Sequence, residues 1–137
     1  CLKNVLDQLG LKSFLKTSGG KGYHVFVPFT SFESWSSFSL FAKNISLLLE
    51  EKYPDMFTCN MSKEKRKNKI FIDWYRNKKS STSVAPYSLR IRKKITVSMP
   101  IKWSELYKIK PGDITIDIAI KRLKRIDPWK DFFSIKQ

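Results

Sequence analysis

The residues best equipped for chemistry lie between positions 18 and 24: the hydroxyl of Ser18, the ammonium of Lys21 and the imidazole of His24. They ride on Lys16-Thr17-Ser18-Gly19-Gly20-Lys21-Gly22-Tyr23-His24, which runs straight into Val25-Phe26-Val27-Pro28. Gly19, Gly20 and Gly22 let the backbone turn sharply and come close to a ligand. Amides exposed in such a turn, beside a lysine, form a cradle for phosphate. The loop is not a G-x-x-x-x-G-K-[ST] phosphate loop, because β-forming residues follow it and it opens a strand. An ordinary connecting turn is the alternative, and the loop alone leaves both readings open.

Asp73 is the second chemical group. It ends the apolar run Ile70-Phe71-Ile72-Asp73-Trp74-Tyr75, in which Ile70 and Ile72 face one way and Phe71 and Asp73 the other. An unpaired carboxylate there costs several kcal/mol or shifts its pKa, so Asp73 needs a cation. A basic side chain or a hard divalent metal would serve, and the residues leave both open. Cations surround the run in sequence. Lys63, Lys65, Arg66 and Lys67 precede it; Arg76, Lys78 and Lys79 follow; Arg90, Arg92, Lys93 and Lys94 come after an extended stretch, Ser83–Leu89. A charge run by itself reads as a solvated face. Interleaved with Trp74, Tyr75 and Tyr87, these cations suit a groove that tracks phosphates and stacks bases.

The whole chain agrees with a polyanionic partner. Its 137 residues carry a formal charge of +15, a surface that repels itself unless it meets nucleic acid or a comparable polyanion. No long apolar run points to a membrane and no signal peptide opens the sequence. The cysteines, Cys1 and Cys59, lie far apart without zinc-ligand spacing and read as reduced thiols of a cytoplasmic protein. The length suits one domain with a single core.

The elements that must position these groups follow from periodicity. Leu2, Val5, Leu6 and Leu9 recur at helical spacing before Gly10. Leu11–Lys16 is extended, the glycine loop follows, and a strand spans Tyr23–Val27, with His24 and Phe26 on one face. The aromatic-rich stretch Ser31–Ser39 reads as packed. From Trp35 to Tyr53, Phe38, Phe41, Ala42, Ile45, Leu48 and Leu49 form an apolar stripe that Pro54 ends. Val97–Leu106 is irregular, with a short helical turn at Ser104-Glu105-Leu106. Thr115 caps a helix through Ile116, Ala119, Ile120 and Leu123, whose Lys121, Arg122, Lys124 and Arg125 favour the negative end of the helix dipole. Asp127-Pro128-Trp129 starts a last short element with Phe132 and Phe133.

Several of these segments, in this order, resemble one family: residues 16–28, Lys65-Arg66, Ile-Phe-Ile-Asp-Trp-Tyr-Arg-Asn (70–77), Val-Ala-Pro-Tyr-Ser-Leu-Arg (84–90) and Pro-Ile-Lys-Trp-Ser-Glu-Leu (100–106). They are similar to the ligase D polymerase domain of prokaryotic non-homologous end-joining, within the archaeo-eukaryotic primase superfamily. The resemblance runs from the first helix to Trp129. It implies an α/β (α+β) fold, mainly an antiparallel sheet with packed helices, like the RRM-type catalytic half of primases.

The resemblance implies roles as well. Ser18, Lys21 and His24, with Gly19 and Gly20 between them, match the motif that holds the incoming nucleoside triphosphate, and Arg90 matches a further phosphate contact. Asp73 matches a metal-binding catalytic carboxylate; with His24 it is the expected catalytic pair. Arg66 matches a basic residue near the primer terminus. Lys63, Lys65, Lys67 and Arg76 are expected to face nucleic acid, although the position of Arg76 varies in the family. The family adds nucleotides, ribonucleotides preferentially, to a primer 3′ end at a DNA break, with two divalent metals, manganese or magnesium. The implied partners are DNA, a nucleoside triphosphate, Ku and a DNA ligase. On this reading the strands Tyr23–Val27 and Ile70–Trp74 are neighbours.

The family's Asp-x-Asp metal motif is missing: no such pair occurs in the sequence. We therefore expect the C-terminal portion of such a domain, inactive by itself. A non-enzymatic nucleic-acid-binding module built on the same fold is the alternative. A ribosomal RNA-binding protein would explain the charge but not the order of glycine loop and Asp73.

Overall fold

A computed structural model describes residues 1–30 and 34–137. The expectation of a packed 31–39 segment thus lies outside the described residues at 31–33. The chain forms two compact units. One comprises Cys1–Val5 with Ser31–Ser83, the other Leu6–Thr30 with Val84–Gln137. The first helix, α1 (Leu2–Gln8), buries Leu6 and ends at Gly10, which takes φ 71°. No described helix is long and apolar enough to cross a membrane.

The unit containing the glycine loop is built on β1 (Phe14–Thr17), which is buried at every residue. It lies between β2 (Tyr23–Phe26) and β7 (Pro100–Ile101) in an antiparallel sheet. The β1–β2 register sets Lys16 opposite His24 and Thr17 opposite Tyr23. Pro100, opposite Lys16 on β7, is tolerated because β7 is an edge strand. A hairpin of β5 (Leu89–Ile91) and β6 (Ile95–Val97) carries Arg90 opposite Thr96.

Two kinds of packing hold this unit. Val97, Met99, Ile114 and Ala119 form an apolar core with Ile109 against it. Phe14, Phe26, Trp129 and Phe132 form an aromatic cluster with ring centroids 5.0–6.4 Å apart. The Trp129 Nε1–H donates to the Leu15 carbonyl at 2.9 Å, and the Trp103 Nε1–H to Ser13 at 3.0 Å. The indoles thus tie later segments to β1 and to the residue just before it while satisfying their only polar group.

In the other unit, α2 (Trp35–Lys52) starts at Ser34, whose hydroxyl accepts the Ser37 amide. Its stripe is half-buried or buried at Phe38, Phe41, Ala42, Ile45 and Leu49, but Leu48 is exposed. Ser46 is buried instead, its hydroxyl donating to the Ala42 carbonyl at 2.7 Å. Glu50 near the end of α2 accepts from the Thr58 hydroxyl and the Cys59 amide. This anchors β3 (Phe57–Thr58), which pairs in parallel with β4 (Ile70–Phe71).

Several expectations need correction. Strands β2 and β4 are not neighbours: β2 pairs with β1, and β4 with β3 in another sheet. Strand β4 stops at Phe71, so Asp73 lies in the irregular stretch just before the turn that carries Arg76, and its carboxylate meets that guanidinium. Residues 83–89 are not continuously extended. Tyr87 takes φ 63° in a turn and gives its amide to the Ser98 carbonyl at 2.6 Å. Residues 97–106 are more regular than expected, because β7 docks on β1. Helix α3 (Ile116–Leu123) begins after Thr115, but no side-chain hydrogen bond caps it. Arg122 does more than face a helix dipole. It grips both oxygens of Glu105 at 2.9 Å each and holds that carboxyl below the usual range.

Candidate functional site

Local chemistry shapes the glycine loop. The Ser18 amide donates to the Gly22 carbonyl at 2.9 Å, closing the turn between β1 and β2. The Ser18 hydroxyl oxygen accepts the amides of Gly20 at 3.1 Å and Gly22 at 3.2 Å. Two of the amides expected to cradle phosphate are therefore engaged inside the loop. With both lone pairs of Ser18 Oγ occupied, its proton remains to donate outward. Gly19 takes φ 66°, and a Cβ there would come within 2.7 Å of the Arg90 Cγ. Glycine is thus required twice, by conformation and by the side chain lying on it.

The β5–β6 hairpin completes the cluster. The Thr96 hydroxyl donates to the Gly19 carbonyl. The Arg92 guanidinium lies beside Gly20, 3.4 Å from where a Cβ would stand. Lys21 is exposed; His24 is half-buried and packs beside Phe26, their ring centroids 6.5 Å apart. The structure therefore brings Ser18, Gly19, Gly20, Lys21, His24 and Arg90 into one strand–turn–hairpin assembly. Among the described residues, none of Lys16, Lys21, Arg90 or Arg92 has a carboxylate partner. Such a cluster, with a hydroxyl donor in its turn, is suited to a phosphate-bearing anion.

Lys16 was not singled out from sequence, and Arg92 only as one of a run of cations suited to phosphates. Lys16 is fully buried on β1. The signal available was an ammonium inside Phe14-Leu15-Lys16-Thr17, directly before the loop, where a strand core otherwise wants an apolar side chain.

Asp73 belongs to the other unit. It is exposed and accepts from Arg76 Nε at 3.0 Å, while Arg76 also donates to the Thr82 carbonyl at 3.1 Å. The salt bridge, one of the two cations considered from sequence, is the partner present. Among the described residues no three of His, Cys, Asp and Glu cluster as a metal would require. A two-metal centre needs more carboxylate oxygens than one exposed aspartate offers, so these residues do not fit a complete metal site. Arg66 donates to the carbonyls of Asn60, at 2.9 Å, and Met61, and its guanidinium lies 3.5 Å from the Phe71 ring centroid. It fixes the 60–66 turn. Lys63, Lys65 and Lys67 are exposed around that turn. Cys59 is buried beside Glu50, and burial, then the carboxylate, pushes its thiol up to about 11, which leaves it unreactive at neutral pH.

Comparison with known proteins agrees with this geometry. Residues 1–129 match the family described as LigD, primase-polymerase domain. The multifunctional non-homologous end joining protein LigD of Pseudomonas aeruginosa is 36% identical over 137 residues, covering 97% of this chain and 16% of that protein. The bifunctional LigD of Bacillus subtilis is 30% identical over 139 residues, covering 99% of this chain and 23% of that protein. The polymerase domain of Mycobacterium tuberculosis ligase D, solved in complex with DNA, superposes with a TM-score of 0.87 at 32% identity, covering 97% of this chain and 47% of that one. The mixed helical and antiparallel architecture is thus that of the ligase D polymerase domain, of which this chain spans about half. The chain belongs to the LigD primase-polymerase domain family.

Proposed function

We propose that this chain is the C-terminal portion of a DNA-repair primase-polymerase and carries its triphosphate-binding apparatus. Ser18, Lys21, His24 and Arg90 hold the triphosphate of an incoming nucleotide. Exposed Lys63, Lys65 and Lys67, with Arg66 and Arg76, face the nucleic acid that supplies a primer 3′ end at a double-strand break. The observation that carries this reading is the glycine turn, closed by Ser18 and covered by Arg90, with its cations lacking carboxylate partners among the described residues. Cations gathered on a closed turn favour a polyphosphate by direct charge-assisted hydrogen bonds.

Nucleotide addition requires more than these residues. Divalent manganese or magnesium would activate the 3′ hydroxyl and neutralise the pyrophosphate. Asp73 is our candidate for one ligand, and further carboxylates must come from outside these 137 residues. Ku, a DNA ligase and a cytoplasmic setting go with the end-joining role. The pairing of Asp73 with Arg76 favours a second reading, a nucleic-acid-binding module without catalysis.

Primer extension with labelled ribonucleotides and Mn²⁺ tests the first reading. The 137 residues alone should give no robust synthesis, and activity should appear when a segment bearing an Asp-x-Asp pair is supplied. Robust synthesis by this chain alone would refute the incomplete-site reading. Failure of Lys21→Ala and Arg90→Ala, both still folded, to weaken nucleotide binding would refute the site assignment.

A further inference from the structure

We propose that Lys16 is a positioning residue for the triphosphate: a buried ammonium, without a carboxylate partner among the described residues, that fixes the segment before β5 and so aims Arg90 at the glycine turn. The inference rests on the nucleotide reading above and adds a residue and a pH dependence to it.

The Lys16 side chain is completely enclosed, at 0% exposure. Its Nζ donates to the Val84 carbonyl at 2.8 Å and the Ser98 hydroxyl at 2.6 Å, and lies 5.8 Å from the Phe26 ring centroid. All three partners are neutral. The Ser98 hydroxyl passes the bond on to the Thr17 carbonyl at 3.0 Å. Backbone bonds then join Ser98 to Ser88 and Tyr87, at 2.9 Å and 2.6 Å. Lys16 thereby grips both ends of the 84–88 segment, which delivers the chain to Arg90. Nothing in the packing alone calls for a charge, since a buried lysine is almost always paired. Here the neighbouring charge has the same sign, that of Arg90, and the missing counter-charge is the ligand's.

Burial, then the Arg90 guanidinium, lowers the Lys16 ammonium to about 8. A polyanion bound at the turn favours the charged form, so binding above this pH must take up a proton, and affinity falls as pH rises. Other groups face this region. Arg90 lies on β5, and His24 on β2 is the register partner of Lys16. Lys21 and Arg92 flank the turn, and Tyr87 lies in the gripped segment, its phenol pushed up to about 12, outside the range that matters.

Calorimetric titration of the 137-residue chain with a ribonucleoside triphosphate and Mg²⁺, between pH 7.5 and 9, tests this. Wild type should lose roughly fivefold to tenfold in affinity across that range, as a single-proton linkage predicts. Proton uptake should show as a dependence of the heat on buffer ionisation. Lys16→Met should bind at least tenfold more weakly at pH 7.5 with the pH slope gone. A merely structural lysine would not move the slope. Wild-type binding with no slope, or a slope that survives in Lys16→Met, overturns the Lys16 role and leaves the nucleotide reading standing. No wild-type binding at pH 7.5 overturns the nucleotide reading and the Lys16 role with it. Should Lys16→Met fail to fold, the Lys16 side-chain NMR titration in wild type decides: its midpoint should rise with triphosphate, and an unmoved midpoint overturns the proposal.

Discussion

Around the glycine turn Lys16, Lys21, Arg90 and Arg92 face no carboxylate among the described residues, and the most buried of them sits against neutral partners. Between positions 60 and 82 cations are treated differently. Arg66 binds two carbonyls and covers Phe71, and Arg76 binds Asp73 and the Thr82 carbonyl. One region gathers its cations around a hydrogen-bonded glycine turn, while the other uses its arginines to shape its own turns. Charge density in a sequence does not separate the two cases; what separates them is where the guanidiniums go, Arg66 and Arg76 closing their own local turns while Arg90 and Arg92 lie against the glycine turn. Cations gathered around one closed turn favour an anion there.

The largest effect that would break this contrast comes from Gly19→Ala. Holding a Cβ residue at φ 66° costs about 1–2 kcal/mol, and the new carbon would displace Arg90, whose Cγ stands 2.7 Å away. Thermal denaturation should show the destabilisation, and triphosphate binding should fall by more than the same change at Gly10, where a Cβ meets nothing within 4 Å.

A smaller effect is a pH dependence of the free chain. The folded state holds Lys16 at about 8, below the 10.5 or so of an unfolded lysine. Between these values the unfolded state binds more protons, so the Lys16 contribution to stability rises with pH from about 8 to about 10.5 and is level outside that window. Melting temperatures of wild type minus Lys16→Met should follow this course; a difference that falls across the window contradicts it.

The smallest effect should be Arg76→Ala. Its side chain is 64% exposed and that of Asp73 40%, so the pair contributes less than about 1 kcal/mol. A loss comparable to that of Gly19→Ala would show that the two regions do not differ as described. If Arg76 touches a phosphate, the salt dependence of DNA binding should lose about one unit of slope in the variant, without change of sequence preference.

What could be read in the sequence was chiefly local. The Gly19 turn, the strand after it and the helix over 35–52 follow from φ > 0 chemistry and from hydrophobic period, which neighbours in sequence encode. Several motifs in one order led to the family. Long-range pairing was harder to read. That β4 pairs with β3 and not with β2, that Pro100 lies in an edge strand opposite Lys16 about 80 residues away, and that Tyr87 takes φ 63° depend on pairing choices or on a turn that no residue type announces. Asp73 was read as needing a cation because it was placed at the end of a buried strand; it is exposed, and its pairing with Arg76 depends on where β4 stops. Lys16 was overlooked because its role depends on Val84 and Ser98, distant in the chain.

The most direct test of the account is a crystal structure of this chain with a nucleoside triphosphate and Mn²⁺. The account predicts phosphate oxygens within about 3 Å of the Ser18 hydroxyl and the Arg90 guanidinium, with the ammonium of Lys21 turned toward them. A triphosphate seated on the 62–82 cations instead, with the glycine turn bare, would contradict it.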